Sequence, residues 1–273
     1  MQALSPSKVI SRDERTQKTK KGKKMKNKLA KSILVISDMH HPYSHPDTLS
    51  FLKAVKAKYK PDTIVCIGDE VDFHDSSFHD SDPDLDSAGI ELEKAIKSLA
   101  PIYRLFPKCT VIESNHGSMM LRKAKVGKIP KKAIKSYNEI LDAPKGWQWV
   151  FDTIVNTPMG PVYFCHGKTG SPGRLASQYG MSTVQGHFHE KAQISYISTP
   201  EKLMFDCHTG CLADDKSLAL GYNKINPKRP IVSLVVIING VPQIVPMVLK
   251  KGTRKCSAPR QWRTVKLEQT ATS

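Results

Sequence analysis

Residues 33–40 read ILVISDMH: an apolar, β-branched run that ends, with no turn residue between, in Asp38, Met39 and His40. The run reads as a buried strand. The same plan recurs down the chain. Residues 63–67 (TIVCI) end in Gly68-Asp69-Glu70-Val71-Asp72, and 109–112 (CTVI) lead into Ser114-Asn115-His116-Gly117. Residues 162–165 end in His166-Gly167, and 182–185 in Gly186-His187-Phe188-His189. Between the first three runs, 46–58 carries Leu49, Leu52 and Val55 at helical spacing; 88–105 carries Ile90, Leu92, Ile96 and Leu99, with a break expected at Pro101. Strand–helix–strand–helix–strand is the signature of parallel pairing through crossovers.

The second half is β-rich. Residues 147–155 and 162–165 flank the turn signal Thr157-Pro158-Met159-Gly160-Pro161, and 194–198 and 203–206 flank a Pro-containing turn. Residues 231–238 and 241–249 flank Asn239-Gly240, the signal of a type I′ hairpin. A two-sheet α/β sandwich is the expected fold.

The chain has 273 residues, enough for a substantial core without disulfide or metal staples. Its net charge of +17 is uneven. Residues 1–31 hold 11 Lys and Arg against 2 acids, 250–273 hold 7 against 1, and 32–249 hold 24 against 22. We therefore expect a basic, disordered tail over 1–31, a domain over 32–249 and a basic C-terminal tail over 250–273. A near-neutral body excludes reading the whole surface as a nucleic-acid platform, but basic arms fit a phosphate backbone. The six cysteines lie in or beside apolar runs. No secretory leader or membrane-length apolar run is visible, so a cytoplasmic protein without membrane contact is expected.

Sites in α/β sheets lie outside the carboxyl ends of strands. Five such ends here deliver Asp, Asn or His. In Asp38-x-His40 and His187-x-His189 the paired side chains stand at i and i+2, on one face of an extended chain. Gly-His-x-His is the sharpest element, with about 0.02 chance occurrences expected at this composition. Carboxylate, imidazole and amide oxygen suit divalent ions such as manganese, iron or zinc. About seven candidate ligands exceed the four of one tetrahedral ion, so two ions sharing a carboxylate is the economical arrangement.

The order D-x-H, G-D-x-x-D, N-H, H, G-H-x-H resembles the calcineurin-like metallophosphoesterase superfamily, over about residues 32–212. The resemblance implies a β-sandwich flanked by helices, a four-layer α/β/β/α fold. It also implies two divalent metal ions, manganese foremost, with iron, zinc or nickel as alternatives. Asp38, His40 and His189 match the ligands of one metal; Asn115, His166 and His187 match those of the second; Asp69 matches the bridging carboxylate. His116 matches the catalytic histidine that protonates the leaving group, after in-line attack by a metal-activated hydroxide. Arg122, Lys168 and Arg174 are candidate contacts for substrate phosphate.

Two departures stand out. The family usually has an acid after Asn-His, where this chain has Gly117; Glu113 and Asp72 are the neighbouring acids available instead. Phe73-His74 follows Asp72 where protein phosphatases of the superfamily carry Arg-Gly, which argues against that branch. The expected activity is a phosphodiesterase or nuclease acting on nucleic acid or nucleotides, engaged through the basic tails. The alternatives are a phosphomonoesterase of phosphoproteins or metabolites, and a metal-bearing nucleic-acid-binding protein that no longer catalyses. Cys207-His208-x-x-Cys211 lacks the second ligand pair of a zinc knuckle. The acidic stretch 74–86 reads as a solvated loop, and the Lys-rich stretch 122–135 as a helix and loop broken at Pro130 that leans toward polyanion contact. Trp147 and Trp149 read as packing residues.

Overall fold

The side chains of residues 33–36 alternate between two apolar clusters. Ile33 and Val35 join Val65, Ile67, Phe164 and Val184, whereas Leu34 and Ile36 join Leu52, Val55, Leu99 and Ile102. Successive strand side chains point to opposite faces, so an unbroken apolar run needs a core on each side. This requirement sets the layer order. The computed structural model describes residues 29–77, 84–214, 217 and 229–248. The expected basic tails therefore lie almost wholly outside the described residues.

Strand β1 (Ser32–Ile36), helix α1 (Thr48–Tyr59), β2 (Thr63–Cys66), α2 (Ala88–Leu105) and β3 (Cys109–Ile112) alternate as expected, and the three strands pair in parallel. Helix α3 (Met119–Val126), a 3-10 turn (Lys131–Ala133) and α4 (Tyr137–Ile140) lead to β4 (Trp147–Val150), parallel to β3. The chain then enters a second sheet with β5 (Thr153–Thr157), β6 (Gly160–Cys165), α5 (Arg174–Tyr179), β7 (Ser182–Gln185), β8 (Ala192–Ser198) and β9 (Leu203–Thr209). It returns to the first sheet with β10 (Ser233–Ile238) and β11 (Val241–Pro246). The sheet orders are β11-β10-β1-β2-β3-β4 and β5-β6-β7-β9-β8. Helix α5 packs Leu175 on Tyr163 and Cys165 at the outer face of the second sheet, completing the α/β/β/α layers. The β10–β11 hairpin turns at Asn239 and Gly240, both with positive φ (50° and 92°), as a type I′ turn requires.

Two expectations change. Residues 147–155 form two strands: the chain leaves the first sheet after Val150 and joins the second at Thr153. No Gly or Pro marks the crossing, so the run looks continuous in sequence. Helix α2 runs unbroken through Pro101. The buried neighbours Leu99, Ile102 and Tyr103 pack beneath the sheet, and their burial offsets the one backbone hydrogen bond that proline removes. Trp147 is buried and its Nε1 donates to the Phe106 carbonyl at 2.7 Å, as a packing role requires. Among the described residues no helix is long and apolar enough to cross a membrane.

Candidate metal centre

The carboxyl ends of β1, β2, β3, β6 and β7 meet at one rim, where the loops tie to one another through backbone groups. Asp38 N donates to the Gly68 carbonyl at 3.2 Å and His40 N to the Asp69 carbonyl at 2.8 Å. His187 N donates to Asp38 Oδ1 at 2.9 Å, and His116 N to Asp69 Oδ1 at 3.1 Å. Asp38, His40, Asp69 and His187 all have positive φ, between 47° and 70°. Such conformations cost a non-glycine residue of order 1–3 kcal/mol and persist where surrounding contacts over-determine them. Here those contacts aim the side chains inward.

Gly186 permits the closest approach. A Cβ there would stand 2.5 Å from Asp38 Oδ2 and 2.8 Å from Ile67 Cγ2. Gly186→Ala must push β7 away from β1 and separate His187 from Asp38. We expect a loss of about 1–3 kcal/mol of stability in urea denaturation, the usual cost of overpacking, together with weaker cation binding by calorimetry. Wild-type values on both counts would show that the rim tolerates the shift.

The donors form three close groups among the described residues: two that share Asp69, and a third of His40, Asp72 and His116. Ligand atoms of Asp38, His40, Asp69 and His189 lie within 4.8 Å of one another, and so do those of Asp69, His166 and His187. Asp69 belongs to both: its Oδ2 lies 3.6 Å from His40 Nε2 and 3.2 Å from His166 Nε2. Asn115 Oδ1 completes the second set, 2.6 Å from His166 Nε2 and 3.1 Å from His187 Nδ1. The far sides of the rings are held. His166 Nδ1 meets the Ile67 carbonyl at 2.9 Å, and His40 Nδ1 meets Asp72 Oδ1 at 2.5 Å. Each contact fixes a tautomer with the Nε2 lone pair turned inward. His40 Nε2 and His189 Nε2 stand 3.1 Å apart. Lone pairs converging at that distance fit a cation between them.

Charge points the same way. Burial opposes ionisation of Asp69, yet His166, His116 and His40 hold its carboxyl well below the usual range. Burial alone would lower His166, but Asp69 beside it raises it to about 9. Asp38 likewise raises His189 against the effect of burial. A buried cluster that attracts protons this strongly attracts divalent cations for the same reason.

A family model described as calcineurin-like phosphoesterase matches residues 31–230. The chain belongs to that family. It is therefore a hydrolase of phosphoester bonds, in a family that uses divalent metals. Among solved structures, an archaeal phosphodiesterase is similar at 13% identity and TM-score 0.42, covering 79% of this chain and 99% of its own. Zinc-complexed Vps29 of Entamoeba histolytica is similar at 13% identity and TM-score 0.39, covering 82% and 96%. The Pseudomonas putida nuclease MPE is similar at 14% identity and TM-score 0.33, covering 78% and 86%. The search of curated protein sequences gave no match.

In this phosphoesterase the acid missing after His116 has a spatial substitute that sequence reasoning did not find. Neither Glu113 nor Asp72 stands over Gly117; Glu70 does. Its Oε1 and Oε2 lie 3.3 and 3.6 Å from where a Cβ on Gly117 would be. Trp149 Nε1 donates to Oε1 at 2.9 Å, and burial pushes the carboxyl up to about 7. Ser114 Oγ accepts from Asp69 N at 2.8 Å and from Gly117 N at 3.1 Å, locking the two loops together. Residues 70 and 117 are far apart in sequence, and no local pattern links them. Asp72 serves His116 differently. Its carbonyl lies 2.5 Å from His116 Nδ1, and its Oδ1 3.5 Å from the same atom.

The three candidate substrate cations part company. Arg122 and Lys168 line a cleft of about 550 Å³ beside Asn115, His166 and His187. Arg122 Nη1 donates to the Asn115 carbonyl at 3.2 Å, and Lys168 Nζ donates to the stacked pair Tyr163 and Tyr179. Arg174 does not line this cleft, because residues 170–173 carry the chain onto the outer face of the second sheet before α5 begins. Cys207 and Cys211 are buried apolar packing and enter no candidate metal group among the described residues. His208 Nε2 lies 3.2 Å from the Thr169 carbonyl. In the acidic stretch 74–86, Glu91 accepts from His74 N and Asp75 N; residues 78–83 lie outside the described residues.

Proposed function

We propose that this chain is a metal-dependent phosphodiesterase of nucleic acid or nucleotides, with two manganese ions as its cofactors. Asp38, His40 and His189 would hold one ion, Asn115, His166 and His187 would hold the other, and Asp69 would be available to both. The observation that carries this reading is the sharing of Asp69 between two converging donor sets. Oxygen and imidazole donors without thiolate favour manganese, iron or zinc over softer ions. When bound, such a pair supplies Lewis-acid activation of water and of the phosphoryl oxygens.

The rest falls to side chains. His116 donates Nδ1–H to the Asp72 carbonyl, which turns Nε2 toward the cleft. From there Nε2–H gives its proton to the leaving oxygen as the ester bond breaks. The His40 ring, 4.7 Å from the His116 ring and edge-on to it, limits how far His116 can swing. Arg122 and Lys168 place positive charge on the cleft wall for the phosphate and its flanking groups. Phe151, 71% exposed, stands at the same cleft, ready to cover a base.

The test uses purified protein with Mn²⁺ on a bis-aryl phosphodiester, the matching monoester and an oligonucleotide. We expect chelator-sensitive hydrolysis restored by Mn²⁺, with both diesters preferred to the monoester. Faster turnover of the monoester would establish a phosphomonoesterase instead. Metal binding without any hydrolysis would establish a binding protein.

A further inference from the structure

The body's net positive charge comes from one stretch. Residues 122–135 hold seven Lys and Arg and no acid; without them, 32–249 would hold 17 Lys and Arg against 22 acids. The structure sets this stretch beside the metal cleft, along α3 and the 3-10 turn. The cleft, which Arg122 lines, shares the wall residue Glu113 with a second hollow of about 460 Å³ that Lys131 and Lys135 line. That hollow shares Leu121, Lys131 and Ile134 with a third of about 410 Å³, lined also by Lys125 and Lys128. Three hollows linked by shared lining residues thus form a lysine-edged groove beside the metal centre. Glu139, the other acid on the groove, is held by its capping box with Ser136. The exposed ring of Phe151 lies on the cleft, with Lys168 Nζ 5.9 Å from its centroid.

We infer that this groove binds the backbone of a single-stranded nucleic acid and feeds it to the metal centre, with Phe151 stacking on an unpaired base. The inference rests on the phosphodiesterase reading and narrows its substrate. A cationic groove that tracks phosphates, joined to an aromatic that takes a base face, is how single strands are held without sequence preference. A mononucleotide would leave the lysines beyond Arg122 without a phosphate to meet, and a duplex would keep its bases from Phe151.

The test is binding of a labelled single strand of about 20 nucleotides to the full-length chain, read by anisotropy from about 50 to 200 mM salt. The variant Lys125→Gln/Lys128→Gln/Lys131→Gln should bind about tenfold more weakly, with a log–log salt slope shallower by about 2. Phe151→Ala should weaken the strand by about tenfold, leave the slope unchanged and leave binding of the matching duplex unaltered. Hydrolysis of the bis-aryl phosphodiester should stay within about twofold of wild type in the triple variant, since the three lysines lie outside the donor sets. Unchanged affinity and slope in the triple variant would overturn the groove, and equal loss on strand and duplex with Phe151→Ala would overturn single-strand selection. If wild type binds the strand as expected but hydrolyses no diester, the phosphodiesterase reading fails and the groove stands. If it hydrolyses the small diester while the lysine substitutions leave the salt slope intact, the groove fails and that reading stands.

Discussion

Asp69→Asn should lower phosphodiester hydrolysis by about a thousandfold or more, equivalent to at least about 4 kcal/mol of transition-state stabilisation. Asp69 is the one carboxylate common to both donor sets. Its Oδ1 already accepts from His116 N, so Oδ2 alone faces His40 and His166. An amide keeps the shape but removes the negative charge, and one of its two ends becomes a donor. With the amide NH₂ toward the rings, no oxygen lone pair remains on that side to join the Nε2 lone pairs of His40 and His166 around a cation. Elemental analysis after dialysis should find metal depleted from both donor sets, to about half or less of the wild-type content. Asp38→Asn should deplete chiefly one, because Asp38 belongs to a single set. Full metal content and near-wild-type turnover in Asp69→Asn would refute a shared carboxylate.

His116→Ala should separate proton donation from metal binding. Loss of a general acid costs about 10²–10⁴-fold where the leaving oxygen must be protonated. A sugar alkoxide leaves poorly without a proton, so cleavage of an oligonucleotide should fall by that factor. A nitrophenolate leaves unaided, so the nitrophenyl diester should lose much less. Metal content should be unchanged, since Nδ1 of His116 is committed to the Asp72 carbonyl and the group it forms with His40 and Asp72 lies beside the two sets that share Asp69. An equal fall on both substrates would mean that His116 steadies the site rather than donating a proton. Asp72 couples the two imidazoles: its Oδ1 holds His40, and its carbonyl holds His116. Of the two acids proposed from sequence to replace the missing one, Asp72 thus acts on the histidine, while the space over Gly117 is bordered by Ser114 Oγ and the Glu70 carboxylate.

The strand ends were readable because they obey local rules. Apolar runs such as 33–37 and 182–185 carry their own period, and the donor residues follow each run directly. The pairs 38/40 and 187/189 needed only the two-residue repeat of extended chain. Where the chain changed course without a turn signal, the reading failed. The passage from β4 to β5 through Phe151 and Asp152 looked like one strand, and it is that passage which leaves Phe151 exposed beside the cleft. Arg174 stands away from the cleft for a related reason. It lies eight residues after His166, near in sequence, yet α5 packs on the far side of the second sheet.

Residue order thus pointed to the seven candidate donors and the histidine beside them, since each is written next to the strand that carries it. It could not say that Glu70 borders the space over Gly117, that Trp149 clamps it, or that the lysines of 122–135 border the cleft. Those relations join residues tens of positions apart, and they arise when two sheets and their helices pack at one particular offset. Backbone periodicity is a property of neighbours along the chain; proximity across layers is a property of the packed core, which no short segment contains.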